Sequence, residues 1–120
     1  MQKFNIGKEF SSHPQGRFFT DSDSSGERFR EEFLKNKIQS LEGNDKIQII
    51  IDDGVDGYGS SFLVEGFAGL VKYGYFKSDD LLKKIDLVCT DPDYLFYKDK
   101  IIEYIKQSNF NSQKYESTKK

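Results

Sequence analysis

Two segments of the chain carry apolar residues at the spacing of an amphipathic helix. In the first, "DSDSSGERFREEFLKNKIQSL", Ser24 and Glu27 fit a capping box, which marks the start of a helix. In the second, which begins near Ser60 or Ser61, apolar residues recur at i, i+4, i+7 and i+8: Leu63, Phe67, Leu70 and Val71. Glu65 falls on the other side of this helix, so we predict a polar face there.

Four short segments have the composition of β-strands. "KFNIG" and "GRFFT" flank the turn-forming "SSHPQG" and are predicted to pair as an N-terminal hairpin. "KIQIIID" contains four isoleucines in five positions, which favours an interior strand covered on both faces. "DLVCT" is predicted to form another buried strand.

The remaining segments predict two more helices and complete the architecture. "SDDLLKKI" is a short helix with Ser78 as its cap, and in "DPDYLFYKDKIIEYIKQ" Asp91 is the cap with Pro92 in the first helical position. The core face of this last helix is predicted to comprise Tyr94, Leu95, Ile101, Ile102, Tyr104 and Ile105. Helical crossovers between strands predict an α/β domain over residues 1–107, a small mixed sheet with an N-terminal hairpin and flanking helices. Residues 108–120 are predicted to form a flexible C-terminal tail.

Composition narrows the function classes. A chain of 120 residues with 36% hydrophobic content predicts one domain. The 18 basic and 20 acidic side chains nearly cancel, which disfavours a nucleic-acid partner. No apolar run approaches the ~20 residues that span a bilayer, and a cytoplasmic location without membrane contact is expected. The single cysteine, Cys89, is predicted to be a small core residue, and neither a metal nor another cofactor is expected.

The turn "DDGVDGYGSS" joins a buried strand to a helix, where α/β domains collect their sites. A hydroxyl of Ser60 or Ser61 at the helix start could accept a phosphoryl group, which the helix N-terminus would partly stabilise. Its added charge would also repel an acidic or apolar partner. The structural alternative is that one serine only caps the helix.

Other chemistry fits this turn less well. It lacks the Gly-Lys-Ser/Thr ending of a phosphate-binding loop and the G-x-S-x-G of a hydrolase elbow. Asp52, Asp53 and Asp56 could gather Mg²⁺, although such acids more often occupy a solvated turn. Arg17, Arg28 and Arg30 could pair with those acids or with a phosphoserine, or form ordinary surface ion pairs.

The segment "IIIDDGVDGYGSSFL" resembles the strand, loop and helix start of STAS domains, which occur in sulphate transporters and anti-sigma factor antagonists. Aligning Val55 with the valine of that pattern brings Ser60, Ser61 and Leu63 into register. "PQGR", "SGERFREEFL" and "GYGSSFLVEGFAGLV" together are more similar to the bacterial STAS-like family of unknown function, over roughly residues 3–106. Gly59 replaces the usual acidic residue before the serines, and Phe62 the glycine after them.

This resemblance implies a STAS-like fold and a role as a non-enzymatic regulator. In anti-sigma factor antagonists the first serine is the phosphoacceptor, which corresponds to Ser60. The kinase there is an anti-sigma factor with a histidine-kinase-like ATPase fold, and the unphosphorylated antagonist binds it and frees the sigma factor.

We therefore expect a cytoplasmic protein-binding module whose phosphoacceptor is Ser60 or Ser61. The residues expected to contact a partner or anion are Asp52, Asp53, Asp56, Gly57, Tyr58, Gly59, Phe62, Glu65, Arg17 and Arg28. An alternative is a small-molecule, nucleotide or anion sensor that uses the glycine-rich turn over residues 54–61. A third possibility is an Mg²⁺-dependent phosphotransferase that uses Asp52 and Asp53.

Overall fold

The computed structural model describes residues 2–119 and contains a three-stranded sheet. Its strands are β1 (Gln2–Asn5), β2 (Ile47–Ile50) and β3 (Ile85–Val88), all parallel and in the order β1-β2-β3. Phe4 pairs with Ile49, and Ile49 with Leu87. The α/β class is confirmed, and so is the interior position of the isoleucine-rich strand.

The predicted N-terminal hairpin is wrong, and so is the mixed sheet, because every described strand pairing is parallel. The backbone groups of "GRFFT" form hydrogen bonds outside the sheet. The amides of Arg17 and Phe18 donate to the Asp21 carboxylate at 3.1 and 2.9 Å, and the carbonyl of Arg17 accepts from the Glu27 amide at 3.0 Å. The segment is therefore held at the start of the following helix and leaves β1 free to pair with β2.

The helices of the first half are short or locally widened. Helix α1 is Ile6–Glu9, and helix α2 runs without a break through Gly26–Arg28, a π-helical segment Phe29–Leu34 and Lys35–Gln39. Ser25, not Ser24, caps α2 by accepting from the Arg28 amide at 3.2 Å. The predicted capping box is wrong because the Glu27 carboxylate accepts from the Phe19 amide instead of the cap residue.

Three further helices follow. Helix α3 comprises Ser60–Leu63, the π-helical segment Val64–Ala68 and Gly69–Lys72; helix α4 is Ser78–Lys84; a 3₁₀ turn, Pro92–Tyr94, leads into helix α5, Leu95–Gln107. The predicted Ser78 cap of α4 is wrong, because Lys77 has the extended backbone of the cap residue and the Ser78 hydroxyl donates to the Ile105 carbonyl at 3.0 Å. The predicted Asp91 cap is confirmed, because its carboxylate accepts from the Asp93 amide at 2.9 Å.

One apolar core joins the sheet to the helices. Its aromatic centre is a set of rings 5.1–6.3 Å apart between centroids: Phe4, Phe10, Phe29, Phe33, Phe62 and Phe67. The four apolar residues predicted for α3 are all buried, as expected. In α5, however, only Ile101 and Ile105 are buried and Leu95 is 48% exposed, because the first turn of α5 extends beyond the core.

Helices α2 and α3 cross at two glycines. A Cβ on Gly26 would lie 2.7 Å from the Phe62 carbonyl oxygen and 2.9 Å from the Gly66 amide nitrogen. Only hydrogen fits at this point, and the close crossing lets α2 cover a face of α3 that periodicity alone leaves open to solvent.

A buried charge cluster lies beside that crossing. Arg30 is fully buried; its Nη1 donates to Glu65 Oε2 at 2.9 Å and to the Glu65 carbonyl at 2.7 Å, and its Nε donates to Glu31 at 2.7 Å. The guanidinium lies between the rings of Tyr73 and Tyr115, 4.5 and 4.9 Å from their centroids. Such a pair is tolerated in a core because most of its hydrogen-bonding groups are satisfied.

The C-terminal segment lies against the domain rather than extending away from it. The amides of Asn111 and Gln113 donate to the last carbonyls of α3, at Val71 and Lys72, at 2.9 and 3.1 Å. The Tyr115 hydroxyl donates to the buried carboxylate of Glu27 at 2.7 Å, as do the Thr118 amide and hydroxyl. Tyr115 of this segment therefore helps to cover the charge cluster, and the predicted domain boundary at residue 107 stays a prediction.

Candidate functional site

The candidate site lies where the three parallel strands end. Strand β2 leads into the loop over residues 51–59, β1 leads directly into α1, and β3 leads into the turn before α5. Because the strands are parallel, these connections meet at one edge of the sheet. The sequence argument placed the site here, and the position of the loop agrees with it.

Two of the three acids in the loop tie the strand ends together. Asp52 Oδ2 accepts from the amides of Thr90 and Asp91, at 2.6 and 2.8 Å, which links the loops after β2 and β3. Asp53 accepts from Asn5 Nδ2 at 2.8 Å and pairs with Lys8 Nζ at 3.2 Å. The Asn5 hydrogen bond and the Lys8 charge hold the pKa of Asp53 below its ordinary value. Both carboxylates therefore have a structural task, and a role in binding a partner stays a prediction.

The third acid contacts a histidine in the lining of an open cleft. His13 Nδ1 and Asp56 Oδ2 are 2.5 Å apart, and both side chains are exposed. The cleft has a volume of about 400 Å³. It is lined by His13, Pro14, Gln15, Asp56, Gly57, Tyr58, Gly59 and Tyr97.

Tyrosines and glycines fix the course of the loop. The Tyr58 hydroxyl donates to the Ile51 carbonyl at 2.7 Å, and its ring contacts Tyr97 at 5.2 Å between centroids. Burial raises the pKa of Tyr58, so the phenol stays a donor. Gly54 and Gly57 have φ of 77° and 148°, a region that side chains rarely allow. The conformation of the loop is thus fixed by these contacts, and its outer surface is exposed.

The paired serines begin helix α3 but do not cap it. Gly59 is the cap residue, with φ −76° and ψ 144°, and no side chain caps the helix. Ser60 is exposed and Ser61 is half-buried. The predicted serine cap is wrong because both serines already have helical positions, whereas a cap needs the extended backbone that Gly59 has.

Replacing Gly59 with serine supplies the missing side-chain cap. A Cβ at this position meets nothing within 4 Å, and the backbone already has the conformation of a cap residue. We expect Gly59→Ser to raise the free energy of unfolding by about a few tenths of a kcal/mol, since serine exceeds glycine as a cap by that amount. Urea unfolding measures the difference; a destabilised variant would show that the helix starts elsewhere.

Two residues predicted for the docking surface are inside the protein. Phe62 is fully buried, with its ring 5.2 Å from that of Phe29, and the Glu65 side chain is 1% exposed beside Arg30. Both predictions are corrected for the same reason: α3 contacts α2 on one side and α5 on another, so it has no polar face there.

The predicted arginines are not brought to the acids of the loop. Arg30 is buried against Glu31 and Glu65, so its predicted role as a surface arginine is wrong. Arg28 Nε pairs with Glu32 at 3.1 Å and its Nη1 donates to the Asp23 carbonyl at 2.8 Å. Arg17 is exposed in the turn before α2. The fold thus brings together Asp52, Asp53, Asp56, Gly57, Tyr58, Gly59, Ser60 and Ser61 and leaves the arginines on α2 and the turn before it.

Sequence reasoning missed the contribution of the start of α5. The Tyr94 hydroxyl donates to the Val55 carbonyl, and the Tyr97 ring lines the cleft. Leu95 and Phe96 beside them are 48% and 60% exposed. The run "YLFY" was the available signal, because four consecutive large residues cannot all face the core of one helix.

The described residues offer no obvious metal site. Within residues 2–119 no group of three or more His, Cys, Asp or Glu side chains is placed to hold a metal ion. Asp52 and Asp53 each hold a neighbouring strand end, and a role of these acids in Mg²⁺-dependent phosphotransfer stays a prediction.

These features define a class of protein. It is a small α/β domain with a parallel sheet, and a helix that begins with serines lies at the carboxyl edge of that sheet. The model of the family described as "STAS-like domain of unknown function (DUF4325)" matches residues 25–95, and the chain belongs to this family. The family resemblance is therefore confirmed. Searches of curated proteins and of solved structures returned no match. Over residues 2–119 the chain has no helix of the length and apolarity needed to cross a membrane.

Proposed function

We propose that this chain is a non-enzymatic regulatory module that binds a protein partner through the start of helix α3. The observation that carries the proposal is the exposure of Ser60 beside a glycine loop with open space around Gly59. A partner can approach the backbone closely at this point, and a kinase can reach the hydroxyl. The proposed partner is a histidine-kinase-like ATPase or anti-sigma factor, as in the regulators that the chain resembles.

Phosphorylation of Ser60 would act as the switch. A phosphoserine carries about −1.5 to −2 charges, and the free amides and dipole of α3 stabilise it in the unbound protein. When a partner packs against the loop, that charge has to lose its water and its bulk has to be accommodated. The modified protein therefore binds the partner less tightly, and dephosphorylation restores binding.

The alternative of a nucleotide or anion sensor has less support. The cleft at the loop is wide open to solvent and is bordered by the carboxylate of Asp56. The overall charge is −2, and the predicted arginines lie elsewhere. A phosphate group in the cleft would be repelled by the Asp56 carboxylate and would lack the arginine contacts that commonly bind phosphate.

The test begins with the tagged chain purified from its native cells. Mass spectrometry identifies the proteins that accompany it and the state of the peptide containing Ser60 and Ser61. The affinity of the identified partner is then measured for Ser60→Ala and Ser60→Asp. We expect Ser60→Ala to bind as the unmodified chain does and Ser60→Asp to bind at least roughly tenfold more weakly, a cost of about 1.4 kcal/mol.

A matched control separates the switch from a general effect of charge. Ser112 is exposed in the C-terminal segment, so Ser112→Asp adds the same charge away from α3. Equal affinities for Ser60→Asp, Ser60→Ala and Ser112→Asp would exclude the charge switch. A loss only for Ser61→Asp would move the acceptor to the second serine.

A further inference from the structure

The start of α5 presents apolar side chains to solvent beside the candidate site. Leu95 is 48% exposed and Phe96 is 60% exposed. The Phe96 ring contacts Tyr97 at 5.6 Å between centroids, and Tyr97 contacts Tyr58 of the glycine loop at 5.2 Å. We refer to Leu95, Phe96 and Tyr97 as the aromatic ridge. It is continuous with the loop that precedes Ser60.

The fold holds the ridge in position. The Asp91 cap and Pro92 start the 3₁₀ turn before α5, and the Tyr94 hydroxyl donates to the Val55 carbonyl in the loop. The turn that precedes the ridge is therefore joined to the loop, and the contact of Tyr97 with Tyr58 joins the ridge itself to the same loop. Exposed rings on a fixed helix lose little conformational entropy on binding, which is a property of interface anchors.

Charge selects the kind of partner that fits. Asp56, Asp91, Asp93 and Asp99 are exposed around the ridge. Asp93 is three residues before Phe96 and Asp99 is three residues after it. Residues at this spacing are neighbours on the surface of a helix. Two cations also lie at the ridge: Lys98 is half-buried, and Lys100 Nζ lies 5.7 Å from the centroid of the Phe96 ring and pairs with Glu103 at 3.6 Å. The ridge is thus apolar with a mainly acidic border.

We propose that the aromatic ridge is the anchor of the partner interface, and that it fits a protein segment with an apolar or aromatic residue flanked by lysine or arginine. This rests on the proposed function in that it names the chemistry of the partner at the same site. Apolar contact at Phe96 supplies most of the affinity, and the acidic border orients the basic segment and speeds its association. The ridge adjoins the loop that leads to Ser60, since Tyr97 contacts Tyr58 at 5.2 Å between ring centroids.

The test uses a library of random peptides displayed on phage and selected against the immobilised full chain. We expect the selected peptides to share apolar or aromatic residues flanked by Lys or Arg. Affinities of synthetic versions are then measured for Phe96→Ser, for the pair Asp93→Asn and Asp99→Asn, and for Phe110→Ser. Phe110 is a matched control because it is 46% exposed and lies outside the ridge, in the C-terminal segment.

The expected pattern is specific. Phe96→Ser weakens binding by roughly tenfold or more, as removal of an interface anchor does. The aspartate pair weakens it several-fold at low salt with a smaller loss at high salt, and Phe110→Ser leaves it unchanged. Thermal melting of each variant verifies the fold, since the replaced side chains are largely exposed.

Several outcomes would overturn the inference. These are selected peptides without basic residues, equal binding to Phe96→Ser and the original chain, or a dimer of the chain that Phe96→Ser converts to a monomer. The last would assign the ridge to a second copy. Ser60→Asp is measured with the same peptides: if it has no effect while Phe96→Ser does, the ridge stands and the phosphorylation switch fails.

Discussion

Arg30→Met is expected to lower the free energy of unfolding by about 3–5 kcal/mol, the cost of removing one partner from a buried ion pair. Methionine keeps much of the side-chain volume, so the loss comes from the charges left behind. The Glu65 side chain, 1% exposed, and that of Glu31, 12% exposed, both lose the guanidinium. Urea unfolding at neutral pH measures the effect.

Acidification should reduce this difference. Burial opposes the charge on Glu31, but hydrogen bonds from Arg30, Lys35 and Tyr75 outweigh it and hold its pKa below the ordinary value of 4.5. A carboxyl with a lowered pKa in the folded state adds stability above about pH 4.5, and this stability is lost as the pH falls through the folded value. The original chain loses that contribution on acidification, whereas Arg30→Met has already lost the part that Arg30 supplies.

Two controls decide the cause of the loss. Arg28→Met, on the same helix, removes a pair with Glu32 that is more than a third exposed on each side, and should cost under about 1 kcal/mol. The double replacement Arg30→Met with Glu65→Met should recover most of the stability, because an apolar pair often replaces a buried ion pair at little cost. Failure of the double variant to recover would assign the loss to packing.

The α/β class and the central strand were predictable because they rest on local composition. A strand in the middle of a parallel sheet is covered on both faces, and "IQIII" satisfies that requirement. The apolar positions of α3 followed helical periodicity for the same reason. The hairpin failed because strand composition does not reveal the partner of a backbone amide: Asp21 and the start of α2 take up the backbone groups of "GRFFT".

The strand-end rule predicted the position of the loop, but it did not predict which neighbouring side chains are buried. Phe62 and Glu65 were placed outside because periodicity describes one helix at a time. The burial of Glu65 depends on the glycine crossing with α2 and on Arg30, which comes from a distant part of the sequence. Leu95 was placed inside for the converse reason, since the distance between the start of α5 and the core is a property of the whole fold.

The second large effect is expected for Gly7→Ala. Gly7 lies in α1, and a Cβ there would be 1.9 Å from the carbonyl oxygen of Asp53 and 3.0 Å from its carbonyl carbon. Because the obstacle is backbone, no rotamer change relieves it. We expect a loss of about 3 kcal/mol in the free energy of unfolding, the upper part of the range for overpacking.

Relief of this contact requires α1 or the loop after β2 to move, which also affects the candidate site. Asn5 Nδ2 and Lys8 Nζ, on either side of Gly7, hold Asp53 at 2.8 and 3.2 Å, so a shift of α1 pulls on the same loop. Hydrogen exchange of the amides of residues 52–59 should therefore become faster in Gly7→Ala than in Gly59→Ser, which adds a side chain to the same loop in open space. A Gly7→Ala protein within about 0.5 kcal/mol of the original chain, the range of ordinary surface substitutions, would mean that α1 does not support the loop.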